Sequence, residues 1–152
     1  MTASERLKEL GITLATPRPP QANYVSAVTT GNLVFLSGTG PYHPDGGLTT
    51  GKVGADVTVE AGYEAAKLTM LALLANLQAE IGSLDRVKRI VKLLGMVNCT
   101  PDFTRQPEVI NGASDLLVEI FGENGRHARS AVGMAALPRN ISVEIEMIVE
   151  IG

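Results

Sequence analysis

The sequence predicts an α+β fold with the element order β-β-α-β-α-β-β, in which two helices cover one face of a mixed sheet. Three observations predict it: two segments with apolar residues at helical spacing, a Gly-Asn turn between two β-rich runs, and a final segment of alternating apolar and polar residues. The 152 residues have the length of one domain, and no repeat, low-complexity tract or linker divides them. Residues 1–152 are therefore predicted to form one domain.

The N-terminal segment, residues 1–22, is predicted to form a short helix followed by a Pro-rich arm. Ser4 is a candidate N-cap of the helix, and Gly11 ends it. The run TPRPPQAN has three prolines in eight residues, which is typical of an extended arm rather than of a helix or a strand.

The first two strands are predicted to form a β-hairpin. The runs YVSAVTT and LVFLSG flank Gly31-Asn32, and a Gly-Asn pair between two β-rich runs is a hairpin signature. The segment GTGPYHPDGG that follows is dense in glycine and proline and is predicted to be a loop.

Two later segments have the apolar spacing of helices. Apolar residues recur every three or four positions from about Val57 to Ile81, and a second such run begins near Pro107 and stops at Gly122. Between them, RVKRIVKLLGMVN fits a helix or a strand. Its β-branched residues and its position after the tight GSLD turn favour a strand.

The C-terminal segment ISVEIEMIVEIG is predicted to be a strand, because its apolar and polar residues alternate almost completely. One face is expected to carry Ile141, Val143, Ile145, Met147 and Val149. The other is expected to carry Ser142, Glu144, Glu146 and Glu150. Residues 137–140 are predicted to be the turn that pairs this strand, as a hairpin, with the preceding strand, which carries Arg129.

Composition argues against several classes of function. The net charge of −3 and the lack of a basic stripe argue against nucleic-acid binding. The longest apolar run, LTMLALLANL, is too short to span a bilayer, so no membrane association is predicted. A single cysteine, Cys99, and a start without the apolar core of a secretory signal predict a cytoplasmic location. Only 19% of the residues are charged, which favours a surface partly covered by another subunit.

The sequence predicts no metal or nucleotide site. His43 and His127 are far apart, and neither lies at ligand spacing from Cys99. The glycines around Thr39 follow a strand, but they lack the rest of a dinucleotide-binding fingerprint.

Arg129 is the strongest single candidate for chemistry. A guanidinium is always charged, and the neighbours on its face of a strand are small, so a ligand could fill the space around it. The alternative is a structural ion pair with Glu144 across the predicted hairpin, and the pattern does not separate the two. Arg126 and His127 are expected to be exposed turn residues.

Three further polar or aromatic residues are weaker candidates. Asn111 is a poor helix former inside a predicted helix, so its side chain could serve a site instead. Tyr24 follows the Pro-rich arm and fits a strand-edge aromatic as well as a binding residue. Glu144 and Glu146 are two residues apart on one strand face, a pattern more typical of a solvated face than of a catalytic pair.

Together these residues resemble the Rid proteins, also called the YjgF/YER057c/UK114 family. The C-terminal signature of that family is similar to three segments here, and its hairpin ending in Ser-Gly is similar to a fourth. The four segments are His127–Ser130, Ala136–Pro138, Val143–Glu146 and Gly31–Gly38. The resemblance covers roughly residues 23–152, and Tyr24 and Asn111 stand at the family's early tyrosine and helix asparagine.

The resemblance implies a chorismate-mutase-like fold and a homotrimer with ligand sites in the clefts between subunits. It also implies hydrolysis of reactive enamines and imines, such as 2-aminoacrylate, to a 2-keto acid and ammonia. No cofactor is implied, because the iminium carbon is already electrophilic and positioning and water activation suffice.

The resemblance also implies roles for individual residues. Arg129 would hold the substrate carboxylate with a two-pronged salt bridge, and Glu144 would hold or polarise the attacking water. The pocket would be lined or shaped by Ser37, Gly38, Asn111, Tyr24 and Ala131.

Several positions depart from the family pattern. Ala131 stands where many members carry cysteine, and Thr39 replaces a common glutamine. About fifteen extra N-terminal residues and a longer TRQPEV entry to the second helix indicate a longer side branch of the family. The alternative function is a small-metabolite-binding or regulatory trimer without turnover. A ribonuclease or translation inhibitor is a third reading, which the acidic charge and few aromatic residues disfavour.

Overall fold

The computed structural model describes residues 1–20 and 22–152. Its helices and strands, in chain order, are α1 (Ala3–Glu9), β1 (Ala27–Thr30), β2 (Leu33–Thr39), α2 (Val59–Ile81), β3 (Val87–Asn98), α3 (Gln106–Phe121), β4 (Ala128–Met134) and β5 (Val143–Ile151). The predicted order is confirmed, with α1 ahead of it. Gln21 of the predicted arm lies outside the described residues.

The strands form one mixed sheet in the order β1-β2-β5-β3-β4. The pair β3·β4 is parallel and the other neighbouring pairs are antiparallel. The helices α2 and α3 pack against one face of the sheet, where the largest buried side chains include Met70, Leu73, Leu93, Leu117 and Ile145. We call this the inner face and the opposite one the outer sheet face. No described helix is both long enough and apolar enough to cross a membrane.

The predicted hairpin between β4 and β5 is wrong. β3 lies between the two strands, and in the register of the sheet Leu93 is paired with Arg129 on one side and with Met147 on the other. The link between β4 and β5 crosses the end of β3, where the fully buried Asn98 holds it. Its Nδ2 donates to Asn140 Oδ1 at 3.0 Å and to the Ile141 carbonyl at 3.1 Å. These hydrogen bonds satisfy polar groups of the link that would otherwise pair in a direct β4–β5 ladder.

Two short polar residues lie elsewhere than predicted. Thr2, not Ser4, caps α1: Thr2 Oγ1 accepts from the Glu5 amide at 3.1 Å, and Glu5 Oε2 accepts from the Thr2 amide at 2.8 Å. The Ser4 amide instead donates to Asp85 Oδ1. Ser142, expected on the polar face, is buried and donates to the Gly51 carbonyl. A small hydroxyl side chain can be buried wherever a backbone carbonyl accepts from it.

The helices α2 and α3 cross at very close range, at Gly112. A Cβ at this position would lie 1.9 Å from the Tyr63 carbonyl oxygen of α2, so only glycine fits. The Tyr63 hydroxyl donates to Asp115 Oδ2 at 2.7 Å across the same crossing. This contact fixes α3, and with it every side chain that α3 presents to β4.

We expect Gly112→Ala to lower the free energy of unfolding by about 2–3 kcal/mol, because the added methyl must push two backbones apart. Urea denaturation at matched protein concentration measures it. Gly62→Ala is the matched control, since its methyl would meet flexible Val109 methyls at 3.2 Å rather than backbone. Equal losses in the two variants would contradict this account of the crossing.

Candidate functional site

Arg129 lies on β4 with its side chain on the inner face, against α3. Its Nη1 donates to Asn111 Oδ1 at 2.8 Å and to Ser114 Oγ at 3.1 Å. Asn111 and Ser114 are three residues apart on α3 and therefore lie on one face of that helix. Ala131 follows on the same face of β4 as Arg129 and packs against the core. We call this group the Arg129 cluster.

Glu144 lies on the outer sheet face, away from the Arg129 cluster. It is paired with Met96 of β3, and β3 separates β5 from β4. Two strand spacings are about 10 Å, and the two side chains also project from opposite faces. The alternative of an Arg129–Glu144 ion pair is therefore wrong, and one chain does not bring these two residues together.

Glu144 lines a cavity of about 750 Å³, which we call the Glu144 cavity. Three other predicted site residues line it as well: Tyr24, Ser37 and Gly38. The wall is completed by the chain segment before the first strand, residues 13–20, and by one side of α2. The predicted site residues thus fall into two groups, with Arg129, Asn111 and Ala131 in the other.

A β-bulge shapes β2 where it borders Glu144. Leu36 is paired with Met147, but Thr39 is paired with Ile145, so β2 carries one extra residue between the two pairs. Gly38 lies in the bulge, and a Cβ there would be 2.5 Å from Glu144 Oε2. The missing side chain is what lets the carboxylate lie directly against the backbone of β2.

Ser37 presents an oxygen that can accept a hydrogen bond from a ligand. Its Oγ donates to the Val25 carbonyl at 2.7 Å, which fixes the hydroxyl proton and leaves the oxygen's lone pairs as acceptors. Tyr24 is half exposed at the same cavity. The polar end of the Glu144 cavity therefore combines a carboxylate, a hydroxyl oxygen and a phenol.

The environment of Glu144 makes its ionisation less favourable than that of a free carboxyl. Burial raises the pKa of the Glu144 carboxyl above its ordinary value of 4.5, and the nearby charge of Glu146 raises it further. The interpretation of these glutamates as a solvated face holds for Glu146, which is exposed, and fails for Glu144, which is half-buried. A carboxyl with a raised pKa is suited to exchange protons with a bound water.

His127 is the residue that sequence reasoning placed wrongly. Arg126 is exposed as expected, but His127 is half-buried, with Nδ1 2.7 Å from the Gly125 carbonyl and Nε2 2.9 Å from Ser114 Oγ. The sequence spacing could have indicated this position. His127 is two residues before Arg129, and Ser114 is three residues after Asn111. Both spacings put polar side chains on one face of their element.

The outer sheet face carries exposed apolar side chains beside the glutamates of β5. Val28, Phe35 and Val132 are each more than 40% exposed. Strand register places Ile148 and Met96 on the same face. No helix of residues 1–20 or 22–152 covers this face, and exposed apolar side chains grouped on a sheet face are typical of a protein–protein contact.

Because its folded-state pKa is raised, Glu144 lowers stability once it ionises. The folded chain binds the Glu144 proton more tightly than the unfolded chain, so stability falls as pH rises from about 4.5 through the folded-state pKa. We expect Glu144→Gln to have a higher urea midpoint than the unaltered protein at about pH 7 and an equal one at about pH 4. Glu146→Gln, on an exposed side chain, is the control and should gain less. A lower midpoint for Glu144→Gln at neutral pH would contradict the burial of this carboxylate.

Comparison with known proteins shows the family of this chain. Residues 4–151 match the family described as "YjgF/chorismate_mutase-like, putative endoribonuclease". The chain is 48% identical over 146 residues to protein TCP17 of Trypanosoma cruzi, covering 95% of this chain and 91% of that one. It is 31% identical over 146 residues to the 2-iminobutanoate/2-iminopropanoate deaminase of Escherichia coli, covering 90% and 94%.

Solved structures share the fold over the whole chain. A Shewanella oneidensis crystal structure matches with a TM-score of 0.95 and 35% identity, covering 99% of this chain and all of that one. The family match, the relatives and the fold agree with the family resemblance found in the sequence. The chain belongs to the YjgF/YER057c/UK114 family, and it has that family's chorismate-mutase-like fold.

Proposed function

We propose that this protein hydrolyses reactive enamines and imines of the 2-aminoacrylate type to a 2-keto acid and ammonia, in sites shared between subunits of a homotrimer. The observation that carries the proposal is the pair of half-sites on one chain. One is the guanidinium of Arg129, which donates to two side chains of α3. The other is the half-buried carboxylate of Glu144 in its cavity. The E. coli relative bears the name of an imine deaminase, which supports the same chemistry.

Arg129 is suited to the substrate carboxylate. Asn111 and Ser114 accept both protons of Nη1, and no other described residue accepts from the guanidinium. Nε and Nη2 therefore form a free edge with two parallel donors, which is the geometry that binds a carboxylate through both oxygens.

Glu144 is suited to the hydrolytic step. Its carboxylate takes a proton from water as the water oxygen attacks the imine carbon, giving a tetrahedral carbinolamine. The proton then passes to the nitrogen, the C–N bond breaks, and ammonia leaves as the carbonyl forms. An enamine enters the same sequence after protonation of its β-carbon, which produces the imine.

The site requires a second copy of the chain. Glu144 and Arg129 lie on opposite faces of one sheet, so a small substrate cannot reach both within one protomer. The exposed apolar side chains of the outer sheet face offer a contact surface for a neighbouring subunit. In the proposed homotrimer the partner subunit's Arg129 faces the Glu144 cavity. A cytoplasmic location fits the one cysteine, Cys99, which is buried and unpaired.

The test is keto-acid release from an imine made in place by a threonine dehydratase. We expect the protein to accelerate release over spontaneous hydrolysis. We expect Arg129→Ala to lower kcat/KM about 10- to 100-fold, because a hydrogen bond to a charged group contributes about 1.5–3 kcal/mol. Glu144→Gln should lower kcat.

Arg126→Ala is the matched control, since Arg126 is a neighbouring arginine whose side chain is 69% exposed. It should retain full activity. If the unaltered protein gives no acceleration but a keto acid raises its Tm, the protein binds metabolites without turnover, and the proposal fails. RNA cleavage that persists in purified Arg129→Ala would instead favour a nuclease.

A further inference from the structure

A chain of three hydrogen bonds lies behind Arg129, and the proposed function does not use it. Arg129 Nη1 donates to Ser114 Oγ at 3.1 Å, and Ser114 Oγ lies 2.9 Å from His127 Nε2. His127 Nδ1 in turn lies 2.7 Å from the Gly125 carbonyl oxygen. The chain thus runs from the guanidinium to a backbone carbonyl through two side chains.

The chemistry of its two ends fixes the direction of the first and last bonds, and a neutral ring fixes the middle one. A guanidinium only donates, and a carbonyl oxygen only accepts. His127 therefore carries a proton on Nδ1 and donates it to the Gly125 carbonyl, and in the neutral ring Nε2 is an acceptor. Ser114 donates its hydroxyl proton to Nε2 and accepts from Arg129 with a lone pair. Each polar atom is satisfied once, and the arrangement requires a neutral imidazole.

The far end of the chain is rigid. Gly125 is buried, and a Cβ there would lie 2.2 Å from the Leu117 carbonyl oxygen of α3, so the turn 122–125 sits directly on the helix. The neutral state is also favoured: burial lowers the pKa of His127, the bond to Gly125 partly opposes this, and the charge of Arg129 lowers it again.

We propose that His127 is a positioning residue for Arg129, acting through the Ser114 hydroxyl to hold the guanidinium edge that receives the substrate carboxylate. This inference rests on the proposed role of Arg129. Without a fixed acceptor for its proton, the Ser114 hydroxyl is free to rotate, and one of the two bonds that orient Nη1 weakens. The guanidinium is then held only by its hydrogen bond to Asn111 Oδ1 and can rotate about it.

Kinetics separate positioning from simple packing. We expect His127→Ala and Ser114→Ala each to raise KM about tenfold with kcat little changed, since a mispositioned cation weakens binding throughout the reaction. The KM of the double variant should be no higher than that of the single variant with the higher KM, because both substitutions remove the same Ser114–His127 hydrogen bond. Additive effects, or a loss of stability with KM unchanged, would overturn the proposal.

His127→Gln is the rescue variant. Its amide oxygen can accept from Ser114 as Nε2 does, while its amide nitrogen can donate to Gly125. We expect KM within about threefold of the unaltered protein. A KM as high as that of His127→Ala would show that hydrogen bonding to Ser114 is not what matters.

A nitrogen NMR measurement tests the three hydrogen bonds behind Arg129 without any turnover. The sequence has two histidines, so His127→Gln assigns the His127 signals by their loss. The proposal requires a neutral ring protonated on Nδ1 at about pH 7.5. A ring protonated on Nε2 would overturn it. If no imine hydrolysis is found, the proposed function fails, but the role of His127 can still be tested by calorimetry with 2-oxobutanoate. His127→Ala should bind 2-oxobutanoate about tenfold more weakly than the unaltered protein, and His127→Gln should bind it almost normally.

Discussion

The position of β3 between β4 and β5 is the constraint on which the rest of the structure depends. A long strand buried in the middle of a sheet needs backbone partners on both edges, and β3 finds a parallel one in β4 and an antiparallel one in β5. That pairing puts β4 at the sheet edge and puts β5 next to β2. Arg129 and Glu144 are consequently two strands apart and on opposite faces. The division of the site between two places on one chain is thus a property of the topology.

Close backbone approaches then position the groups that the topology has separated. Gly112 brings α3 against α2, and Gly95 lets Ile110 of α3 lie over β3, so that α3 can present Asn111 to Arg129. Gly38 does the same for Glu144 on the other side of the sheet. The carboxylate is held in an environment that disfavours its charge. Active groups are often kept in such environments at some cost in stability, because the reaction needs the altered proton affinity.

The sequence was sufficient for the elements and insufficient for their pairing. Periodicity identifies helices and strands because it reflects which face is buried, and α2, α3 and β5 were placed to within two residues. The residues 137–140 look like a hairpin turn, but the same residues can cross over a third strand. The pairing of β3 with both strands distinguishes the two arrangements, and the buried amide of Asn98 holds the crossing through contacts distant in the chain. Similarly, the family motifs are sufficient to predict Arg129 and Glu144 as site residues. The hydrogen bonds of His127 depend instead on how the turn 122–125 packs against α3.

The most direct test of the proposed shared site is complementation between two impaired variants. Arg129→Ala and Glu144→Gln chains with different tags are coexpressed, and trimers that carry both tags are purified. Any ring of three with both variants has one cleft in which an intact Glu144 meets an intact Arg129 from the partner subunit, so about one third of the activity per trimer should return. Mixed trimers no more active than either variant alone would contradict the claim that the two halves of the site come from different subunits.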